Sequence, residues 1–217
     1  MTSVHIYSVP FSSFGRVVQL VCEQKGISYS MGLEVAGMNV EFKGEQHANW
    51  HPYSKMPVLL IGDQVLCESA SIIRYLDNAY PGPELQPTDP WLRAKLDERV
   101  QLLSTYINHA LIKDYILELI FPKGQDGAPR LDVMAANKPA ALKALSLLES
   151  WLAEGDYLFG NSFSLADAMA LPSLYYVTQL QEPFNLLPAD SVIGSYVQRM
   201  KDKYPACQKV LVPKQPS

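Results

Sequence analysis

Short apolar runs and helical spacings alternate along the first third of the chain. Val4-His5-Ile6-Tyr7 is a β-favouring run closed by Pro10, and Val17, Leu20 and Val21 recur at helical steps within Arg16 to Lys25. Gly26 stops that helix, and Ile27 to Val35 predicts a second strand. A helix crossing between two strands makes them parallel neighbours. After a polar, irregular segment, Pro57 to Ile61 and Gln64 to Leu66 flank Gly62-Asp63, a two-residue pair that predicts a hairpin. From Ser69 onward Ile72, Ile73, Tyr75 and Leu76 mark an amphipathic helix, ended by Tyr80-Pro81-Gly82-Pro83.

Residues 79–89 are dense in proline (Pro81, Pro83 and Pro87, with Pro90 next), which stops helices and ladders alike and predicts a linker. Beyond it the strand signal disappears. Trp91, Leu96, Val100, Leu103, Ile107 and Leu111 predict a long helix reaching toward Phe121, broken by Pro122 to Pro129. Ala141, Leu145, Leu148 and Leu152 predict a second, Leu165 to Leu180 a third and Val192 to Met200 a fourth. The expected fold class is therefore α/β plus all-α. A thioredoxin-like βαβ-ββα domain spans 1–78, a linker 79–89 and an all-helical domain 90–217.

Composition narrows the function classes. With 217 residues, 48% hydrophobic and 18% charged, the chain can bury a sizeable core. Its 18 basic and 22 acidic residues give a net charge of −4, neither a footprint for nucleic acid nor a polybasic membrane anchor. The start MTSVHIYSVP has no basic leader with an apolar run, and no stretch approaches a membrane span, so a cytoplasmic location is expected. Cys22, Cys67 and Cys207 form neither a disulfide framework nor a CxxC pair and read as small buried hydrophobes. His5, His47, His51 and His109 show no HxH or HExxH spacing, which argues against a metal enzyme.

Three segments carry candidate chemistry. In Tyr7 to Arg16, Ser12 and Ser13 stand where a strand passes into a helix; there a serine caps the helix, or its hydroxyl and the free N–H groups steady an anion such as a thiolate. In His51-Pro52-Tyr53-Ser54-Lys55-Met56-Pro57, Pro57 heads a strand. A trans bond there makes an ordinary strand entry, whereas a cis bond turns the Met56 backbone outward to pair with an extended peptide. Lys55 is either a solvated lysine or a partner for a carboxylate. Glu68-Ser69 opens a third helix, where Ser69 acts as a cap or holds a carboxylate while Glu68 accepts an ammonium. Together the three suit a zwitterionic peptide that carries a thiol.

The segment Glu68-Ser69-Ala70-Ser71-Ile72-Ile73-Arg74-Tyr75-Leu76 resembles the Glu/Gln-Ser-xx-Ile-xx-Tyr-Leu signature of glutathione transferases, and Ser54 to Leu59 resembles their cis-proline segment. Tyr157 to Ala168, with Phe163-Ser164 and Asp167, is similar to the family's Phe-Ser-xx-Asp element, a capping box with Asp in the place of Glu or Gln. The resemblance covers nearly the whole chain and implies a cytosolic, serine-type member with a theta-, delta- or zeta-like loop. It implies that Ser12, with Ser13 as the alternative, stabilises the thiolate of glutathione. It further implies that Lys55 meets the glycyl carboxylate, Met56 before Pro57 the cysteinyl part, and Glu68 and Ser69 the γ-glutamyl end.

The expected reaction is attack by glutathione's sulfur on a hydrophobic electrophile, with glutathione as co-substrate, no metal, and a homodimer as the assembly. Phe11, Tyr106 and Tyr115 are candidate walls for the electrophile, or ordinary packing residues. Two other readings stand beside it: a glutathione-dependent isomerase or dehalogenase on the same fold, and a binding module without turnover. His51 departs from the Asn that the family more often places before this proline. The loop offers no cysteine, and Tyr7 falls within the strand.

Overall fold

In the computed structural model, which describes residues 3–213, β1 (Val4–Tyr7) and β2 (Tyr29–Gly32) are joined through α1 (Ser13–Lys25). They pair in parallel, Val4 against Tyr29 and Tyr7 against Gly32. Gly26, at φ 66°, ends α1 in the left-handed conformation that glycine takes without steric cost. The predicted second strand is broken at Gly32. Its remainder, β3 (Glu34–Val35), folds back on β4 (Met38–Asn39) as a separate small ribbon, turning through Ala36 and Gly37 at positive φ. The polar segment read as irregular holds a short helix, α2 (Glu45–Trp50).

The hairpin forms as expected. β5 (Val58–Ile61) and β6 (Gln64–Cys67) pair with Ile61 opposite Gln64, and Gly62 turns at φ 58°. β5 also lies antiparallel to β1, giving the sheet order β2-β1-β5-β6. Helix α3 (Ser69–Ala79) packs with α1, and Ile72, Ile73 and Leu76 bury its inner face. This is the thioredoxin-like arrangement.

The chain divides into two compact units. One runs through Gln86 and takes up the chain again at Tyr204; the other is Pro87–Lys203. The expected helical span 90–217 differs from this division at its end, because α9 (Pro205–Val210) packs along α1, with Lys209 2.6 Å from Glu23. Residues 80–89 hold neither helix nor strand.

The second unit is helical. α4 (Pro90–Leu102) starts with Pro90 in its first turn and the Asp89 side chain accepting the Leu92 N–H at 2.8 Å. The long helix then continues in wider, π-helical turns over Leu103–Ile107 and His109–Ile116 before the short α5 (Leu117–Ile120). Buried side chains there recur at Ile107, at Leu111 and Ile112, and at Tyr115 and Ile116, the longer step that an extra residue per turn brings to one face. α6 (Leu131–Leu152), α7 (Leu165–Thr178) and α8 (Val192–Lys203) complete the unit. Before α7 the capping box is formed: the Asp167 carboxylate accepts the Ser164 N–H and O–H, the Leu158 N–H and the Tyr196 hydroxyl.

Candidate active site

Strand register brings the three candidate segments of the first unit to one end of the sheet. Tyr7 closes β1 opposite Val58, and Val58 stands opposite Cys67, the last residue of β6. The loop to Ser12, the approach through Lys55, Met56 and Pro57, and the step into Glu68 therefore emerge on the same side. Pro57 precedes its strand while the other two segments follow theirs, and the antiparallel direction of β5 reconciles them.

Ser12 is the N-cap of α1, with extended backbone (φ −65°, ψ 122°), and its Oγ accepts the Gly15 N–H at 3.1 Å. Ser13 is the first helical residue and is buried; Phe11 is half-buried. No acidic residue stands in the first turn, so nothing negative there offsets the helix's positive end. Arg16 leaves that end, its Nε donating to the Pro10 carbonyl at 3.0 Å. Gly15 permits a close approach: a Cβ there would lie 2.4 Å from Ser8 Oγ and 2.9 Å from Met31 Cε. Tyr7 is fully buried, and its hydroxyl donates to the Val40 carbonyl.

The Met56–Pro57 bond is cis. Lys55 is exposed, Met56 packs against a cluster of Tyr7, Val40, Val58 and Leu60, and Pro57 is buried. The segment is held by two histidines whose roles have no signature in sequence. His47, fully buried, accepts the Lys43 N–H on Nδ1 at 3.1 Å, so its Nε2 carries the proton and donates to the Lys55 carbonyl at 3.0 Å. Its ring sits 4.8 Å from that of Tyr7. His51, also buried, accepts the Tyr53 N–H on Nδ1 at 3.1 Å.

Glu68 is the N-cap of α3 at φ 67°, a region that non-glycine residues rarely occupy, and its side chain makes no capping bond. The first-turn N–H groups of α3 are thus left without a cap from Glu68, while Ser69 is the first helical residue and is buried. The Glu68 carboxylate reaches solvent, with His51 Nε2 at 3.6 Å as its neighbour. Between them these groups offer a hydroxyl and a helix end for an anion, an ammonium on Lys55 for a carboxylate, and a carboxylate on Glu68 for a cation.

Of the cysteines in this unit, Cys22 and Cys207 are fully buried and Cys67 is half-buried. Burial pushes the Cys22 thiol up to about 12, and burial followed by the charge of Glu68 raises that of Cys67. Among the described residues no group of three or more His, Cys, Asp or Glu is placed to hold a metal ion, and no helix is long and apolar enough to cross a membrane. In the second unit Tyr106 is 68% exposed, whereas Tyr115 is buried and its hydroxyl donates to the Phe184 carbonyl at 3.1 Å.

Residues 6–84 match the family described as glutathione S-transferase, N-terminal domain, and residues 109–210 match glutathione S-transferase, C-terminal domain. Glutathione S-transferase F14 of Arabidopsis thaliana is 31% identical over 176 residues, covering 76% of this chain and 65% of that protein. Glutathione S-transferase 3 of Zea mays is 28% identical over 181 residues, covering 80% and 79%. The crystal structure of poplar glutathione transferase F1 superimposes with a TM-score of 0.82 at 21% identity, covering 97% of each chain.

Proposed function

Because the chain belongs to the glutathione S-transferase family, we propose that it is a glutathione transferase in which Ser12 holds the sulfur of bound glutathione as a thiolate. The observation that carries this reading is the Ser12 hydroxyl. Its oxygen is engaged by the Gly15 N–H at the start of a 13-residue helix, which leaves its O–H to donate to a second, anionic partner. A free thiol has a pKa of about 8.5, so making the thiolate dominant at neutral pH takes a shift of about two units, or about 2.7 kcal/mol. A charge-assisted hydrogen bond contributes about 1.5–3 kcal/mol and a helix end about 0.3–1 kcal/mol, which together suffice.

The rest of the site orients the peptide. The glycyl carboxylate is directed to Lys55, the cysteinyl part to the backbone of Met56 before Pro57, and the γ-glutamyl group to Glu68 and Ser69. Its ammonium pairs with the Glu68 carboxylate, while its carboxylate takes the Ser69 hydroxyl and the first-turn N–H groups of α3. The sulfur then forms a bond to an electrophilic carbon, whose leaving group departs with the bonding electron pair. The electrophile is small and apolar; within the helical unit Trp91, Tyr106 and Phe121 are exposed aromatic side chains. A homodimer and a cytoplasmic location are part of the same reading.

Retention on immobilised glutathione, followed by a panel of electrophiles, tests it. Retention with thioether formation is the expected result. Retention without turnover of any electrophile would favour isomerisation or dehalogenation, and no retention would favour a non-catalytic module.

A further inference from the structure

We infer that His51 is a positioning residue that holds the Glu68 carboxylate for the ammonium of glutathione and makes that interaction sensitive to pH. The inference rests on the glutathione reading of this site. Its geometry has two parts. The imidazole is buried at the end of α2, and because Nδ1 accepts the Tyr53 N–H at 3.1 Å, the proton of the neutral ring resides on Nε2. That N–H faces Glu68 Oε1 at 3.6 Å, and the carboxylate is the exposed partner, so a modest rotation of Glu68 brings the two within hydrogen-bond distance.

A neutral donor at this place steadies the carboxylate without cancelling its charge. The second carboxylate oxygen remains for an ammonium. An Asn at position 51 can supply an acceptor for the Tyr53 N–H but is too short to match the reach of an imidazole to Glu68. This gives a physical reading to the departure from the family's usual Asn.

Protonation changes the arrangement twice. A proton on Nδ1 opposes the Tyr53 N–H, and the resulting cation competes with the ligand's ammonium for Glu68. The charged or titratable groups facing the ring are Glu68, His47 and Lys55, with the Tyr53 ring edge-on at 6.5 Å. Burial keeps the His51 pKa below its ordinary value of 6.5; Glu68 pulls it back up, and His47 and Lys55 push it further down. Affinity for glutathione is therefore full near neutral pH and falls toward acid as His51 takes up its proton, at a pH below the ordinary imidazole value.

The test is calorimetric titration of the full chain with S-methylglutathione, whose blocked thiol takes sulfur ionisation out of the measurement, between about pH 5 and pH 7.5. Wild-type affinity is expected to fall toward acid. His51→Asn should bind roughly threefold to tenfold more weakly near neutrality, lose the acid dependence, and add little further loss in a Glu68→Gln background. Equal acid dependence in wild type and His51→Asn, or losses that add in full, overturns the inference while leaving the glutathione reading intact. Absence of binding by the wild type overturns both.

Discussion

The Lys25 ammonium lies 2.8 Å from the Asp77 carboxylate, and both side chains are almost wholly withdrawn from water, at 2% and 5% exposure. The pair joins the end of α1 to α3. Asp77 also accepts the Leu85 N–H at 3.1 Å and the Gln86 amide at 2.9 Å, while Lys25 donates to the Pro83 carbonyl, so one carboxylate fixes the start of the proline-rich segment as well. Removing either partner leaves a buried charge unmatched. Asp77→Ala is expected to cost about 3–5 kcal/mol, read as a lowered denaturant midpoint, and Lys25→Met with Asp77→Leu together should recover only part of that loss, because the Leu85 N–H and the Gln86 amide still lack their acceptor.

Ser12→Ala should raise the pKa of the bound glutathione thiol by about one to two units, since a hydrogen bond to a charged group contributes about 1.5–3 kcal/mol. Glutathione affinity should change little. The thiolate's ultraviolet absorbance, followed against pH, reports the shift. If Ser13→Ala moves the titration and Ser12→Ala does not, the role passes to Ser13.

Gly15→Ala should destabilise the fold by about 1–3 kcal/mol, because the added methyl meets Ser8 Oγ at 2.4 Å in a buried contact. The displacement falls beside Ser12, so turnover should drop with it. Combining Gly15→Ala with Ser8→Gly frees that space, and recovery of the melting temperature in the double variant checks the cause.

Arg130 makes a two-pronged contact with the buried Glu118 carboxylate, Nε at 3.0 Å and Nη2 at 2.6 Å, and these bonds are the main cause that lowers the Glu118 pKa to about 2. The same carboxylate accepts the N–H groups of Arg130 and Lys123, closing the loop between α5 and α6. A depressed carboxylate pKa gives stabilisation that is full above the unfolded value of about 4.3 and is lost as pH falls toward about 2. Hydrogen exchange at the Arg130 amide should accelerate over that window beyond its intrinsic pH dependence. In Glu118→Gln the amide should be weakly protected even at neutral pH.

The thioredoxin-like core was legible because its signals are local: Gly26 after the Val17, Leu20, Val21 face, and Gly62-Asp63 between two apolar runs. The break at Gly32 was not, since Ile27, Tyr29, Met31, Leu33 and Val35 alternate with small or polar residues as in one continuous strand, and only the turn through Ala36 and Gly37 reveals a second ribbon. Similarly, α9 lies beyond the last strong apolar repeat, and its place on α1 is a tertiary choice. In the site, Ser12, Lys55, Glu68 and Ser69 could be nominated because their types and places suit a zwitterionic peptide with a thiol. His47 and His51 could not, because their function lies in which backbone groups meet each ring nitrogen, and that depends on a loop without periodicity.

The packing of α9 on α1 bears on the order in which the chain can be completed. Ala206, Cys207 and Val210 bury themselves within the first unit, although the whole second unit is synthesised between them and α1. On a ribosome the helical unit has all its residues before the first unit has received its last helix. The unit translated first is the one that finishes last, and a fragment ending at Gln86 would leave the α9-facing side of α1 bare.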